Sequence, residues 1–498
     1  MQALRDLLRN QQIDEAATLA EQLIAEQPFN AELHMLMGFV QADQGRPVAA
    51  IERLSKAIRL EPDNPIYHYN LAWLLTQNKE SERAILAYQQ CLRLSPDYLD
   101  ARWNLGELLR LKEHFRAAID LFESLLDTPN ASEQFVGLHH RLGVCYSSIN
   151  RQKAAARAFE TSLANKEIDH HLTLWEYSHL LLAMGNLKEG WKAYESRYLF
   201  DGPTRIAIHA FEYPRWRGES LEERCLLIHG EQGLGDQLMF ASVVPLLLSE
   251  AARLVLAVHP TLVRLFKTSF PSATVIAHTI ANPADVSALP IDYETPIGSL
   301  CHHRGPWSTH QSSPQAYLKS DRILSQRSGY VLDQLSVDSA KPKIGLVWAA
   351  NPGHGVEWGQ RRSLKKSIPI DALEPLARLN ETFNFYSLQN SECAPTAADA
   401  PFLNLIDLHH YIDDMATTAA LIDQLDLVVT VDTSVAHLVG GMGKECIILL
   451  MHKPDWRWLQ SGNKSYWYES AQLLRQDNAG SWSSVIEQLV NSLTARFM

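Results

Sequence analysis

Residues 50–64 read AIERLSKAIRLEPDN, and residues 84–98, which begin 34 positions later, read AILAYQQCLRLSPDY. Small side chains recur at this spacing, large ones recur between them, and a proline follows each copy. Small side chains let two antiparallel helices cross closely, a large one fills the gap, and proline ends the second helix. The pattern therefore predicts stacked helix pairs. The residues in phase are Gly38, Ala72 and Gly106; Ala50, Ala84 and Ala118; Leu54, Tyr88 and Phe122; and Ala57, Cys91 and Leu125.

The period and its small–large–proline signature resemble the tetratricopeptide repeat, and about six copies cover residues 1–200. The resemblance implies an α-helical solenoid whose concave face holds a peptide, a protein or another subunit. The alternative is that the repeats only support the rest of the chain or mediate self-association.

Length, charge and cysteine usage narrow the class of protein. A chain of 498 residues is too long to fold around one compact core. Its net charge of −12 argues against nucleic-acid binding, which needs a basic surface. The six cysteines form no CxxC pair, which excludes the common zinc-site and disulfide signatures. The N-terminus lacks the apolar segment of a signal peptide, and no apolar run approaches the roughly 18 residues of a membrane span. We therefore expect a cytoplasmic protein without a membrane span.

The sequence changes character after a connector at residues 201–221. An apolar run at 225–229 leads into a glycine-rich turn at 230–236 and then into helical periodicity. Strand, glycine-rich turn and helix open a Rossmann-like unit, and their alternation predicts a parallel sheet covered by helices. A second cycle starts at the apolar run 343–348. Two α/β domains are thus predicted, at 222–338 and 339–498, the second with a closing helix.

Three loops follow predicted strands, where ligands of open α/β sheets bind. The first contains Gly233, Gly235 and Asp236. Glycines let backbone amides approach a ligand, and the following helix N-terminus favours negative charge. Asp236 either caps that helix or acts as the general base that takes a proton from an acceptor hydroxyl or amide.

The second loop runs from Asn351 to Ser367, and four of its residues 361–366 are basic, with Ser363 among them. Such a cluster suits a diphosphate that must be neutralised as it leaves; the alternative is a solvated run of charge. In the third loop, residues 431–437, a strand delivers Asp432, Thr433 and Ser434 to a helix start, where free amides bind phosphate. His437 faces either the same ligand or the core, and the alternative for Asp432 or Thr433 is helix capping alone.

Together these loops resemble glycosyltransferases of the bacterial heptosyltransferase kind, in the form that follows tetratricopeptide repeats. The resemblance covers roughly residues 214–475. One departure is Gly440-Gly441-Met442, where an ordinary helical residue is expected. The matching segments are 231–236, 240–241, 346–349, 351–352, 361–364, 385–389, 431–438 and 455–459.

This resemblance implies a GT-B transferase of two Rossmann-like domains, with the nucleotide-sugar donor mainly on the C-terminal domain and the acceptor facing the N-terminal one. It implies no metal and no cofactor besides the nucleotide-diphosphate sugar, which is a substrate. Asp236 matches the family's catalytic base. Arg361 and Arg362 match the region where a basic residue meets the diphosphate. The implied donor-binding residues are Gly233, Gly235, Asn351, Arg361, Arg362, Ser363, Gln389, Asp432, Thr433, Ser434 and His437.

A repeat array in front of a glycosyltransferase also resembles the protein O-GlcNAc transferases, which suggests a protein or peptide acceptor recruited by the repeats. Two alternatives remain open at this point. The chain is a non-catalytic scaffold with a degenerate transferase domain, or it is a transferase that acts on a glycan or lipid-linked acceptor.

Overall fold

The computed structural model describes residues 1–305, 316–336, 338–351, 363–389 and 397–498. The chain divides into two compact units, Met1–Thr173 and Leu174–Met498. Within the described ranges, no helix is both long enough and apolar enough to cross a lipid bilayer.

The first unit is built from antiparallel helix pairs, as the repeat predicts. Helices α4 and α6 end at Leu60 and Leu94, two residues before Pro62 and Pro96. The helices are α1 (Gln2–Arg9), α2 (Ile13–Glu26), α3 (Ala31–Asp43), α4 (Pro47–Leu60), α5 (Pro65–Gln77), α6 (Ser81–Leu94), α7 (Leu99–Leu111), α8 (Phe115–Leu126), α9 (Ala131–Gln134), α10 (Leu138–Ser148), α11 (Gln152–Asn165) and α12 (His170–Ala183), the last of which continues into the second unit.

The in-phase small residues lie where helices cross. A β-carbon at Gly106 would come within 2.6 Å of the Phe122 ring, and one at Gly143 within 2.8 Å of Phe159. Both rings are buried. Each of these glycines thus leaves room for a large side chain of the next helix, which confirms the predicted small–large packing between helices.

The second unit begins with the end of α12, then α13 (Leu187–Tyr194) and a 3-10 turn (Glu195–Tyr198). A parallel sheet of order β3-β2-β1-β4 follows. The chain leaves β1 towards β2 and β3 and then crosses to β4 on the other side, so β1 and β4 flank a topological switch point. The elements are β1 (Cys225–His229), α14 (Leu234–Phe240), α15 (Val244–Glu250), β2 (Arg253–Val258), α16 (Val263–Ser269), β3 (Thr274–Ala277), β4 (Tyr293–Pro296) and α17 (Leu300–Arg304).

A second parallel sheet has the order β10-β9-β8-β5-β6-β7, and its switch point lies between β5 and β8. The elements are α18 (Arg322–Leu335), β5 (Lys343–Val347), β6 (Asn384–Ser387), β7 (Leu405–Asp407), α19 (Met415–Asp423), β8 (Leu427–Val431), α20 (Ser434–Gly441), β9 (Cys446–Leu450), β10 (Ala471–Arg475) and α21 (Ser483–Phe497).

The helical periodicity of the sequence also predicts α-helices over 237–249 and near 371–379, and the structure differs from both predictions. The helix expected after residue 370 is a 3-10 helix, Ile370–Leu379, with Pro375 inside it. Proline has no amide hydrogen and its ring displaces the preceding turn, so a regular α-helix cannot form there. The helix expected at 237–249 is split into α14 and α15 by a 3-10 turn (Ala241–Val243), and Pro245 stands at the start of α15.

Candidate functional site

The loops that follow β1 and β8, one from each sheet, touch each other. A β-carbon at Gly235 would lie 2.9 Å from Cδ2 of His437 and 3.4 Å from Cα of Ser434. A larger residue at position 235 would push the two loops apart. The structure therefore brings the first and third predicted loops together between the two switch points.

Asp236 uses its two carboxylate oxygens differently. Oδ2 accepts a 3.1 Å hydrogen bond from the amide of Gly233, across the first turn of α14. Oδ1 forms an ion pair with the guanidinium of Arg457. The side chain is 17% exposed, so it lies neither in the core nor on the outer surface. Asp236 therefore acts as a cap and also presents a carboxylate oxygen to the second sheet's loops.

Arg457 lies in a 3-10 turn (Trp456–Trp458) beyond β9. Its Nη1 donates to Asp455 at 2.6 Å, and its guanidinium lies 4.2 Å from the centre of the Trp456 ring. Burial alone would lower the pKa of Arg457, but the carboxylates of Asp236 and Asp455 outweigh it and hold the pKa well above its usual value. No role was predicted for this arginine from the sequence, although it lies in the matching segment 455–459, beyond a predicted strand.

Asp432, the first residue after β8, is buried and pairs with Lys366, whose Nζ lies 2.5 Å from Oδ2. Burial alone would raise the pKa of Asp432, but Lys366 outweighs it and lowers the pKa. Lys366 comes from the basic cluster predicted to meet a diphosphate. Arg361 and Arg362, the two arginines of that cluster, lie outside the described residues.

The N-terminus of α20 has no side-chain cap. Thr433 occupies the capping position, but its hydroxyl lies 3.1 Å from the hydroxyl of Thr430 instead of bonding the first turn. Asp432 is engaged by Lys366. The capping interpretation of these two residues is therefore wrong, and the first-turn amides next to Ser434 are left for another acceptor.

His437 is buried and faces the core side of this loop. Its Nδ1 lies 2.9 Å from the Tyr468 hydroxyl, and its ring stacks on Trp458 with centroids 5.1 Å apart. Burial lowers the pKa of His437 to about 4. The ring is therefore neutral at physiological pH and shapes the loop through packing, with one edge against Gly235.

A pH titration tests this environment. The folded pKa of His437 lies below its ordinary value of 6.5, so its stabilising contribution is present above pH 6.5 and is lost as the pH falls towards 4. A shift of this size corresponds to about 3 kcal/mol. We expect the wild type to lose up to that much more stability than His437→Gln between pH 7 and pH 4, measured by urea unfolding. Equal losses would contradict a neutral buried ring. The comparison with the variant is needed because burial also lowers the pKa of His140 and His278 to about 4.

The other predicted donor residues lie in the loops that follow β5 and β6. Gln389 accepts a 3.0 Å hydrogen bond from the Ala349 amide and so ties the two strand ends together. Ser363 accepts a 2.9 Å hydrogen bond from the hydroxyl of Ser367 through its backbone carbonyl. Asn351 is exposed. Gln389 and Ser363 thus hold the loop that carries Lys366.

A buried ion pair fixes the start of the Asp236 loop. The side chains of Arg197 and Glu231 are both 0% exposed, and Arg197 donates to the two carboxylate oxygens at 2.7 and 3.0 Å. Glu231 also accepts the amide of Gly298 at 2.9 Å. Next to it, Gln232 is hydrogen-bonded to the Tyr194 hydroxyl. The loop after β1 is therefore anchored to the last helical turns before the sheet.

The glycine pair at 440–441 has a packing reason. A β-carbon at Gly440 would overlap the Tyr468 ring, and one at Gly441 would come within 2.7 Å of the Leu318 side chain. The ordinary helical residue expected there has no room. This close approach also positions the Tyr468 hydroxyl against His437.

Comparisons with known proteins support the repeats. The family described as "Tetratricopeptide repeat" matches residues 1–65, 40–98 and 69–133. These residues carry tetratricopeptide repeats, which indicate a protein-interaction scaffold.

One curated relative, Protein FlbA of Caulobacter vibrioides (strain ATCC 19089 / CIP 103742 / CB 15), is 29% identical over 396 residues. The match covers 74% of this chain, so it extends beyond the repeats into the second unit, and the chain spans 63% of the length of FlbA.

Similar solved structures include MamA, with 23% identity, a TM-score of 0.31, and coverage of 34% of this chain and 96% of MamA. Another is YrrB, described as a TPR protein with an unusual peptide-binding site. It has 14% identity, a TM-score of 0.33, and coverage of 36% of this chain and 91% of YrrB.

Proposed function

We propose that the second unit is a glycosyltransferase of the GT-B kind, which transfers a sugar from a nucleotide-diphosphate donor to an acceptor. One observation carries the proposal. The carboxylate of Asp236, at the switch point of the first sheet, pairs with Arg457 from a loop of the second sheet. The adjacent Gly235 lies against the start of the uncapped helix α20, which directly follows Asp432 and its ion pair with Lys366. A base opposite an anion-binding end is the arrangement that displacement of a diphosphate requires.

In the proposed reaction, an acceptor oxygen or nitrogen forms the new bond to the anomeric carbon as the bond to the diphosphate breaks. Asp236 takes the acceptor's proton, and the diphosphate leaves with the bonding electrons. The first-turn amides of α20 and the neighbouring cations balance the charge that develops on the leaving group. Enclosure between the two sheets would limit hydrolysis of the donor by water.

We propose a protein or peptide acceptor, because the chain carries repeats of a protein-interaction kind in front of this unit. Mass spectrometry of a co-expressed candidate acceptor separates this case from transfer to a glycan or lipid-linked sugar. A mass increase of one sugar on the polypeptide supports the protein acceptor.

Nucleotide binding tests the activity. We expect UDP, GDP or ADP to bind the full chain in calorimetry, and the matching nucleotide sugar to be hydrolysed slowly without an acceptor. Removal of a charge-assisted contact by Lys366→Ala should weaken this binding by roughly 10- to 100-fold.

The matched control is Lys267→Ala, which removes the same charge from an exposed position of α16, away from the basic cluster. It should leave the affinity within about twofold, as surface charges contribute little. If none of the three nucleotides binds, the transferase proposal fails and the non-catalytic scaffold is favoured.

A further inference from the structure

The site contains a charge conflict that a donor would have to resolve. We define the strand-end cluster as Asp236, Asp432, Asp455, Lys366 and Arg457. In this cluster three carboxylates share two cations, and each cation is already engaged by a carboxylate. A diphosphate adds further negative charge. Because partly buried negative charge is costly without a counter-ion, a diphosphate that binds here competes with these carboxylates for the two cations.

Arg457 is the cation best placed to change partner. Asp455 holds it within one turn of the chain, through Nη1 and through its backbone amide at 3.1 Å. Its second contact, from Nη2 to Asp236, reaches a loop of the other sheet. The guanidinium can therefore exchange Asp236 while Asp455 keeps it in place. Lys366, by contrast, engages the more deeply buried Asp432.

The ion pair with Arg457 also occupies the carboxylate oxygen with which Asp236 would accept the acceptor's proton. Oδ2 of Asp236 is held by the Gly233 amide, and Oδ1 is covered by Arg457. While Arg457 stays there, an acceptor hydroxyl cannot approach Oδ1. Once it leaves, the Gly233 amide still orients the carboxylate through Oδ2, and Oδ1 no longer has the arginine against it.

We propose that Arg457 is a further catalytic residue that exchanges Asp236 for the donor's diphosphate, and so frees the base only when the donor is in place. This inference rests on the proposed function. The exchange makes binding ordered, with the donor before the acceptor. In the absence of donor, Arg457 also keeps the Asp236 carboxylate paired, so that Asp236 does not take up a proton before the donor binds.

A double-mutant cycle in calorimetry tests the exchange, with the nucleoside diphosphate that the wild type binds as the probe. Asp236→Asn removes the competing charge, so it should bind the diphosphate about fivefold or more tightly than the wild type. Arg457→Gln should bind it at least about tenfold more weakly. The double variant should bind the diphosphate as weakly as Arg457→Gln does. Without the arginine, position 236 and the diphosphate no longer compete for the same cation.

Two controls isolate the effect. Asp414→Asn loosens another ion pair between the two halves of this unit, Arg264 to Asp414 at 3.1 Å, and should leave the affinity unchanged. The corresponding nucleoside, which lacks phosphates, should bind all variants alike. Thermal unfolding of each variant identifies any that fails to fold, and Arg457→Lys then replaces Arg457→Gln.

The outcomes separate the two proposals. If the wild type binds a nucleoside diphosphate and Asp236→Asn binds it no more tightly, the exchange is wrong and the transferase stands. If the wild type binds none of UDP, GDP and ADP, both are overturned.

Discussion

Asp236→Asn is expected to lower the rate of sugar transfer by about 10²- to 10⁴-fold, the usual contribution of a general base. Asparagine keeps an oxygen that can accept the Gly233 amide, so the first turn of α14 is preserved. It cannot take up the proton that the acceptor loses. The loss should therefore appear in kcat, measured by mass spectrometry of the glycosylated acceptor at saturating donor.

A matched control for this variant is Asp321→Asn. Asp321 is also a carboxylate at a helix N-terminus, where it accepts two amide hydrogen bonds at the start of α18, from Ile323 and Leu324 at 2.9 Å each. It lies outside the strand-end cluster, so transfer should continue at the wild-type rate. Turnover of Asp236→Asn at that same rate would remove Asp236 from the mechanism.

The sequence predicts the helix pairs and the central strands because their signals are local. The small–large spacing that places Gly106 against Phe122 recurs every 34 residues, and several registers repeat it together. The strands β1, β5, β8 and β9 are short apolar runs that are buried along almost their whole length. Such runs are typical of parallel strands covered on both faces.

The missed strand β4 shows what such signals cannot find. Its residues Glu294 and Thr295 are buried but polar, so it has no apolar run. Glu294 is satisfied by His229 at 2.8 Å and by Arg215 at 2.7 Å, from other parts of the chain. A polar strand of this kind is stable only because of tertiary partners, which local patterns do not reveal.

The candidate site divides in the same way. Asp432 was predicted because it follows strand β8 directly, and Gly235 and Asp236 were predicted because they end the glycine-rich turn that follows β1. No role was predicted for Arg457 because its role rests on the ion pair with Asp236, which is 221 positions away in the chain and cannot be read from a local pattern. From the sequence, His437 could face either the ligand or the core. Its contacts with Trp458 and Tyr468 in the structure favour the core.

Arg197→Ala is expected to destabilise the second unit by about 3–5 kcal/mol, because it leaves the carboxylate of Glu231 buried without its counter-ion. Both side chains are fully buried, so the Glu231 carboxylate is cut off from bulk water. Urea unfolding measures the loss. Hydrogen exchange of peptides that cover residues 225–240 should show that it is concentrated at the loop after β1.

The control is an exposed ion pair of the same unit, Arg378 with Glu487, whose side chains are 62% and 47% exposed. Arg378→Ala should cost less than about 1 kcal/mol. If Arg197→Ala costs no more than this control, the anchor has no special role. Replacing Arg197 and Glu231 together by leucine should be milder than Arg197→Ala, because the fully buried charge of Glu231 is then removed and only the partly exposed Glu195 loses its pairing with Arg197. A double variant that folds well but transfers sugar poorly would show that the pair holds the Asp236 loop in position for the reaction as well as stabilising the fold.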